Sequence, residues 1–196
     1  MTRKILFAVM VLAVSVAGFG CVREASKDQG NTVDRSAILD EAKKEGLIMN
    51  DEEIVRTKDP SALVEDHETQ PAKDLASYLK LDVKNWRAAA LADVTGGQSF
   101  GLAHARFEQG TYTLIAEMGG LPALEKGFFY EGWLIQRGNP FRVLSTGRVE
   151  QIDQKFINVY TSREDLSSFD FYSLTREPEE GSPGPDGSHI LEGMIR

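Results

Sequence analysis

The order of hydrophobic and polar residues divides the chain into three parts. Residues 1–20 are dominated by one apolar segment, and residues 21–85 are polar and acidic, with short stretches of helical spacing. In residues 86–196 apolar and polar positions alternate with a period of two, and turns rich in Gly and Pro separate the alternating stretches. We therefore predict a signal region, a tether with short helices and a β domain, in that order.

The alternation in the third part predicts eight strands. They are Arg87–Val94, Ser99–Glu108, Thr111–Met118, Phe128–Gln136, Phe141–Glu150, Lys155–Thr161, Phe171–Glu177 and His189–Ile195. Short strands at this spacing, without helices between them, are typical of antiparallel sandwiches. The predicted fold is mainly β, an Ig-like antiparallel β-sandwich preceded by short helices. Alternation places these residues among those on its inward face: Tyr112, Leu114, Ala116, Trp133, Ile135, Val143, Phe171, Leu174 and Leu191.

Helix signals in the tether are short and local. Ser36–Glu45 carries apolar residues on one face, and Asn50 followed by Glu53 has the spacing of a capping box. Asp59-Pro60 opens another turn, and Ala72–Leu81 is a further helical candidate. None of these segments is long enough to be a stable helix alone in water. The tether is either a spacer or an extension without a role of its own.

The first twenty residues have the layout of a secretory signal. Arg3 and Lys4 precede Ile5–Gly20, which contains no charged residue and is shorter than the roughly 20 residues of a permanent membrane span. Cys21, the one cysteine in the chain, follows directly. This placement resembles the lipobox of bacterial lipoproteins, which implies export, cleavage before Cys21 and a lipid on its sulfur.

The resemblance to a lipobox has two departures. Phe19 stands where a small residue is usual, and Gly18 stands where Leu is commonest. Two alternatives stay open, namely cleavage after the small pair Ser15 and Ala17 without lipidation, and an uncleaved membrane anchor. All three interpretations place the remainder of the chain outside the cytoplasm, at the bacterial cell envelope.

Charge narrows the choice of partners. The whole chain has 22 basic and 30 acidic residues, a net charge of −8, and loss of the signal region with its two basic residues changes this to 20 − 30 = −10. Nucleic acid is excluded as an expected partner, because its binding calls for a basic surface. Contact with a membrane is expected through the lipid on Cys21, and an envelope protein is a further candidate partner.

Three motifs occur in order in the β domain. Tyr130-Glu-Gly-Trp133-Leu-Ile is followed by Ser-Thr146-Gly147-Arg and then by Thr175-Arg-Glu177-Pro178, with a Gly- and Pro-rich loop after it. Together they resemble the extracytoplasmic domain of anti-sigma-K factors. The resemblance covers about residues 89–196 and implies structural roles for Tyr130, Trp133, Thr146, Gly147, Thr175, Glu177 and Pro178.

The resemblance implies a fold, a location and an interaction or sensing role. Such factors carry a sigma-binding region and a membrane helix ahead of this domain, whereas only four residues precede the apolar segment here. Inhibition of a sigma factor is therefore not carried over. We expect a non-enzymatic lipoprotein of the envelope.

Residue patterns for catalysis, metals and cofactors are absent from the sequence. His67, His104 and His189 are the only histidines, and no two of them have helix or hairpin ligand spacing with a Cys or acidic partner. We also find no nucleophile elbow and no phosphate-binding loop. The expected sets of catalytic residues, metal ligands and cofactors are empty. The alternative function is a sensor that binds a small molecule or metal in a pocket at one end of the sandwich.

Overall fold

The computed structural model describes residues 34–70, 74–181 and 183–196, which form mainly β structure. The helical elements are α1 (Arg35–Lys44), α2 (Asp51–Thr57), a 3-10 helix (Pro60–Ala62) and α3 (Leu75–Tyr78). The strands are β1 (Thr69–Gln70), β2 (Arg87–Asp93), β3 (Phe100–Glu108), β4 (Thr111–Gly119), β5 (Phe128–Gln136), β6 (Arg142–Arg148), β7 (Glu150–Ile152), β8 (Lys155–Ser162), β9 (Phe171–Pro178) and β10 (Ser188–Met194). The predicted signal region and Cys21 lie outside the described residues.

Side-chain caps begin α2 and the 3-10 helix at the positions that the sequence predicts. Asn50 and Glu53 form the predicted capping box at the start of α2, with hydrogen bonds of 2.9 and 3.0 Å. Asp59 accepts from the backbone N–H of Ser61 at the 3-10 helix. Each cap satisfies backbone donors that a helix start leaves free. Among the described helices, none is long and apolar enough to cross a membrane.

The strands form one continuous and nearly closed sheet. Their order is β1-β8-β4-β3-β2-β10-β9-β5-β6, with β7 paired to β8, and every strand pairing is antiparallel. The prediction of a mainly β, antiparallel fold preceded by short helices is thereby confirmed. The two separate layers of an Ig-like sandwich are not confirmed, because a single path of paired strands joins nine of the ten and β7 pairs with β8 beside it.

A buried side-chain network bridges the gap between β6 and β8, where no strand ladder forms. Asn158 on β8 donates from Nδ2 to the carbonyls of Thr146 and Gly147, each at 3.2 Å. Its Oδ1 accepts from Thr146 Oγ1 at 2.7 Å and from Tyr172 OH at 3.1 Å. Burial raises the pKa of the Tyr172 phenol, so this hydroxyl stays a donor. One asparagine side chain thus closes the sheet.

Two hydrophobic clusters lie on opposite faces of the sheet. The inner cluster draws on nearly all the long strands and includes Leu91, Ala103, Leu114, Leu134, Tyr172 and Leu174. The outer cluster joins Trp133 and Phe171 to Met49 and Ala62 from the N-terminal segment. Trp133 is therefore buried beneath that segment. Its predicted position on the inward face of the sheet is wrong. Strand β5 is buried on both faces, so alternation alone does not distinguish them.

Candidate functional site

The motif residues lie on three neighbouring strands, β9, β5 and β6. On the outer face Trp133 Nε1 donates to Thr175 Oγ1 at 2.8 Å, and both side chains are fully buried. Tyr130 belongs to the inner cluster, and its hydroxyl donates to the carbonyl of Pro122 at 2.8 Å. The first and third motifs are thus joined directly by one buried hydrogen bond.

The remaining motif residues organise the ends of β6 and β9. Gly147 has a φ of +85°, a conformation that favours glycine, and Thr146 belongs to the network that closes the sheet. Glu177 is buried, and its Oε2 accepts from the backbone N–H of Gly187 at 2.8 Å. Pro178 ends β9 and lines a cavity. Glu177 therefore holds the return loop against the strand that precedes it.

A cavity of about 770 Å³ lies between the N-terminal helices and strands β9 and β10. Its volume is within the range of about 300–1,000 Å³ that is usual for small-molecule sites. Its apolar lining includes Leu39, Ile48, Ile54, Val94, Phe128 and Pro178. Its ionisable lining includes Asp40, Lys43, Lys58, Arg176, His189 and Glu192. The site therefore combines an apolar surface with several ionisable groups.

A buried polar group forms part of the cavity lining. His189 Nδ1 lies 3.0 Å from Ser173 Oγ and 2.9 Å from Glu192 Oε1, and the His189 and Glu192 side chains are only 7% and 1% exposed. Glu192 Oε2 accepts from the backbone N–H of Met49 at 2.8 Å. Glu192 thereby fastens the segment between α1 and α2 to the sheet.

Ser173, His189 and Glu192 do not have the geometry of a catalytic triad. In a triad the serine and the carboxylate bond to opposite nitrogens of the imidazole ring. Here both contact Nδ1, whereas Nε2 has no partner among the described residues. Ser173 is also fully buried, which keeps its hydroxyl from a substrate. The group is suited to holding β9, β10 and the N-terminal segment together.

The sequence does not predict the contact between His189 and Glu192. Residues three apart in a regular strand point to opposite faces. A register shift between His189 and Leu191, typical of a β-bulge, brings the two side chains onto one face. The available signal was Glu192 itself, a charged residue within the apolar run of β10.

The three histidines lie on different elements and do not converge. His104 is half-buried on β3, and burial lowers the pKa of its imidazole. Within residues 34–70, 74–181 and 183–196, no three His, Cys, Asp or Glu side chains are placed to hold a metal ion.

The carboxyl of Glu131 has a shifted pKa. Glu131 lies on the same side of β5 as Trp133 and faces Ser145. Burial raises the pKa of the Glu131 carboxyl above its ordinary value, and a hydrogen bond from Ser145 Oγ at 2.5 Å offsets this only in part. A raised folded-state pKa adds stability below the unfolded value of about 4.3, and this contribution is lost as pH rises through the folded pKa. The ionised carboxylate therefore costs stability at neutral pH.

We expect Glu131→Gln to raise the melting temperature at pH 7 and to have little effect near pH 4. The amide cannot ionise, yet it keeps an oxygen acceptor for Ser145. Thermal unfolding followed by circular dichroism at both pH values measures the difference. Glu179→Gln is the matched control, because hydrogen bonds from Arg148 lower the pKa of Glu179 and predict the opposite sign at pH 7. An equal gain for Glu131→Gln at both pH values would contradict the assignment.

No family model, curated protein or solved structure matches this chain. The fold and the cavity define a mainly β protein with a candidate small-molecule site beside its N-terminal helices. The similarity of its motifs to anti-sigma-K extracytoplasmic domains stays a prediction from the sequence.

Proposed function

We propose that this protein is a non-enzymatic lipoprotein, exported and held at the bacterial cell envelope by a lipid on Cys21. The observation that carries this proposal is the position of Cys21, directly after the uncharged segment Ile5–Gly20 and its two preceding basic residues. Its role is interaction or sensing outside the cytoplasm. The acidic balance of the chain supports a partner other than nucleic acid, such as an envelope protein.

The proposal includes a relationship to anti-sigma-K extracytoplasmic domains. With it goes an Ig-like type of β fold. Its support is the arrangement of the three motifs on adjacent strands, where Trp133 of the first bonds to Thr175 of the third. The proposal concerns the domain alone and includes no inhibition of a sigma factor.

The second candidate function is a small-molecule sensor. The cavity beside α1, α2 and β10 favours it, because the cavity has the volume of a ligand site and a lining that mixes apolar and charged side chains. The cavity lies beside the N-terminal helices, whereas the sequence predicts a pocket at one end of a sandwich. A sensor of this kind would report ligand binding through the segment that Glu192 fastens to the sheet.

The lipid anchor has a direct test in the mature N-terminus. We expect mass spectrometry of membrane-extracted protein to find an acylated peptide that begins at Cys21. Cys21→Ser should abolish acylation, and adding Ser26→Cys to that variant should not restore it, because a cysteine five residues later has lost its position after the apolar segment. An unmodified peptide beginning at Gly18 would disprove lipidation and leave export standing.

A further inference from the structure

The cavity contains a guanidinium group without a carboxylate partner. Arg176 is half-buried in the cavity lining, and its guanidinium carbon lies 5.0 Å from the centroid of the Phe128 ring. Within the part of the chain that the structure describes, Arg176 forms no ion pair, and its buried Nε has no hydrogen-bond partner. Guanidinium is always charged and matches a carboxylate in geometry. Its setting is therefore favourable for an anion.

Other groups in the lining are already engaged within the protein. Glu192 accepts from the backbone N–H of Met49 and lies 2.9 Å from His189 Nδ1, so its side chain is already engaged within the protein. Lys43 is paired to Asp51 at 2.8 Å. Lys58 makes its hydrogen bond to a backbone carbonyl, at 3.2 Å, and so adds a second cation at the rim without an acid attached. Asp40 and Asp186 also line the cavity, so its charges are mixed, and the place that favours an anion is the Arg176 guanidinium itself.

The rest of the lining suits the apolar part of a ligand. Leu39 and Ile54 approach from the two helices, and Val94, Phe128 and Pro178 approach from the sheet. An aromatic ring that stacks under a guanidinium also orients it for recognition of a planar anionic group. A ligand with a single anionic group and an apolar body would satisfy both parts of this surface.

We propose that the cavity binds an organic carboxylate with an apolar body, whose carboxylate is held by Arg176. This inference rests on the proposed sensor function and names the class of its ligand. Lys58 adds long-range attraction at the rim, and the side chains of α1 and α2 cover the apolar body. Cationic and neutral amphiphiles of the same size bind more weakly, because the guanidinium repels an ammonium group and a hydroxyl gives it an uncharged, single acceptor in place of a bidentate carboxylate.

The test compares three probes of equal length, namely 4-phenylbutyrate, 4-phenylbutylamine and 4-phenylbutanol. Saturation-transfer NMR titrations are made with the full chain in lipid nanodiscs, and signals from empty nanodiscs are subtracted. We expect saturable binding of 4-phenylbutyrate, with the amine and the alcohol weaker by about tenfold, the effect of one hydrogen bond to a charged group. Arg176→Gln should weaken 4-phenylbutyrate by about tenfold as well.

Two further variants make the result interpretable. Arg106→Gln is the matched control, because Arg106 also stacks on a ring, that of Trp86 at 4.6 Å, but is not in the cavity lining, and it should leave binding unchanged. Lys58→Gln alters an exposed side chain and should weaken the carboxylate by a smaller factor, which keeps the test valid if Arg176→Gln does not fold. Equal or tighter binding of the amine or the alcohol would overturn the anion assignment while ligand binding stands. Saturable binding of none of the three probes would overturn both.

Discussion

Gly132→Ala is expected to lower the free energy of unfolding by about 2–6 kcal/mol, since overpacking a core costs about 1–3 kcal/mol and a lost buried hydrogen bond adds about 1–3 kcal/mol. The added methyl group would overlap Asn158 Oδ1, Thr146 Oγ1 and Tyr172 OH. These atoms belong to the network that joins β8 to β6. The substitution therefore opens the sheet at the place where no strand ladder holds it. Urea unfolding followed by circular dichroism measures the loss.

Gly110→Ala is the control for this substitution. Gly110 has a φ of +75°, and a Cβ added there would meet no atom within 4 Å, so alanine costs only the backbone strain of about 1–2 kcal/mol. A loss for Gly132→Ala that is no larger than the loss for Gly110→Ala would show that the Asn158 network yields without penalty. The role assigned to that network in closing the sheet would then be wrong.

Trp133→Ala is expected to cost about 3–5 kcal/mol, the range for removal of a large buried aromatic side chain. Trp133 is 1% exposed and packs with Met49, Ala62 and Phe171 between the sheet and the N-terminal segment. The substitution also leaves the buried hydroxyl of Thr175 without its donor. We expect it to loosen α2 and the 3-10 helix from the sheet, which limited proteolysis would detect as new cleavage sites before residue 70.

A double-mutant cycle separates the hydrogen bond from the packing of Trp133. Trp133→Phe and Thr175→Val each remove one partner, and their coupling should be about 1 kcal/mol. Trp86→Phe is the control, because Trp86 Nε1 is buried without a partner in the described part of the chain, so its loss should cost little. A coupling near zero would mean that the bond between Nε1 and Oγ1 contributes no stability.

Strand positions are the part of this fold that sequence predicts best. Each of the eight predicted strands is present, most with ends within one or two residues, because alternation and turn residues act locally. The two strands that were not predicted, β1 and β7, have two and three residues, too few to show a period. A helix was predicted at Ala72–Leu81. In the described residues it is only α3, whose four residues form little more than one turn.

The arrangement of the strands was harder to predict, for physical reasons that particular residues illustrate. Closure of the sheet depends on Asn158, a single polar residue whose partners are eleven to fourteen positions away. The face to which Trp133 points depends on the N-terminal segment that covers it, which alternation within β5 does not report. The contact between His189 and Glu192 depends on a β-bulge.

The cavity also could not be located from the sequence. Its lining comes from α1 and α2 and from β9 and β10, and these two strands follow the two helices by more than 100 residues along the chain. In the sequence, nothing distinguishes Arg176 from the other residues of the third motif. The structure shows that it has no carboxylate partner among the described residues. Tertiary contact creates this kind of site, and local pattern carries no signal for it.

The position of β10 sets the order in which this domain can be completed. Strand β10 lies in the middle of the sheet between β2 and β9, although it follows every other strand along the chain. A chain that emerges from a ribosome or a translocation channel from its N-terminus therefore exposes one edge on β2 and another on β9 until residue 194 is free. Open edges recruit foreign strands. The interval before β10 inserts is thus when aggregation through open strand edges is expected to be greatest.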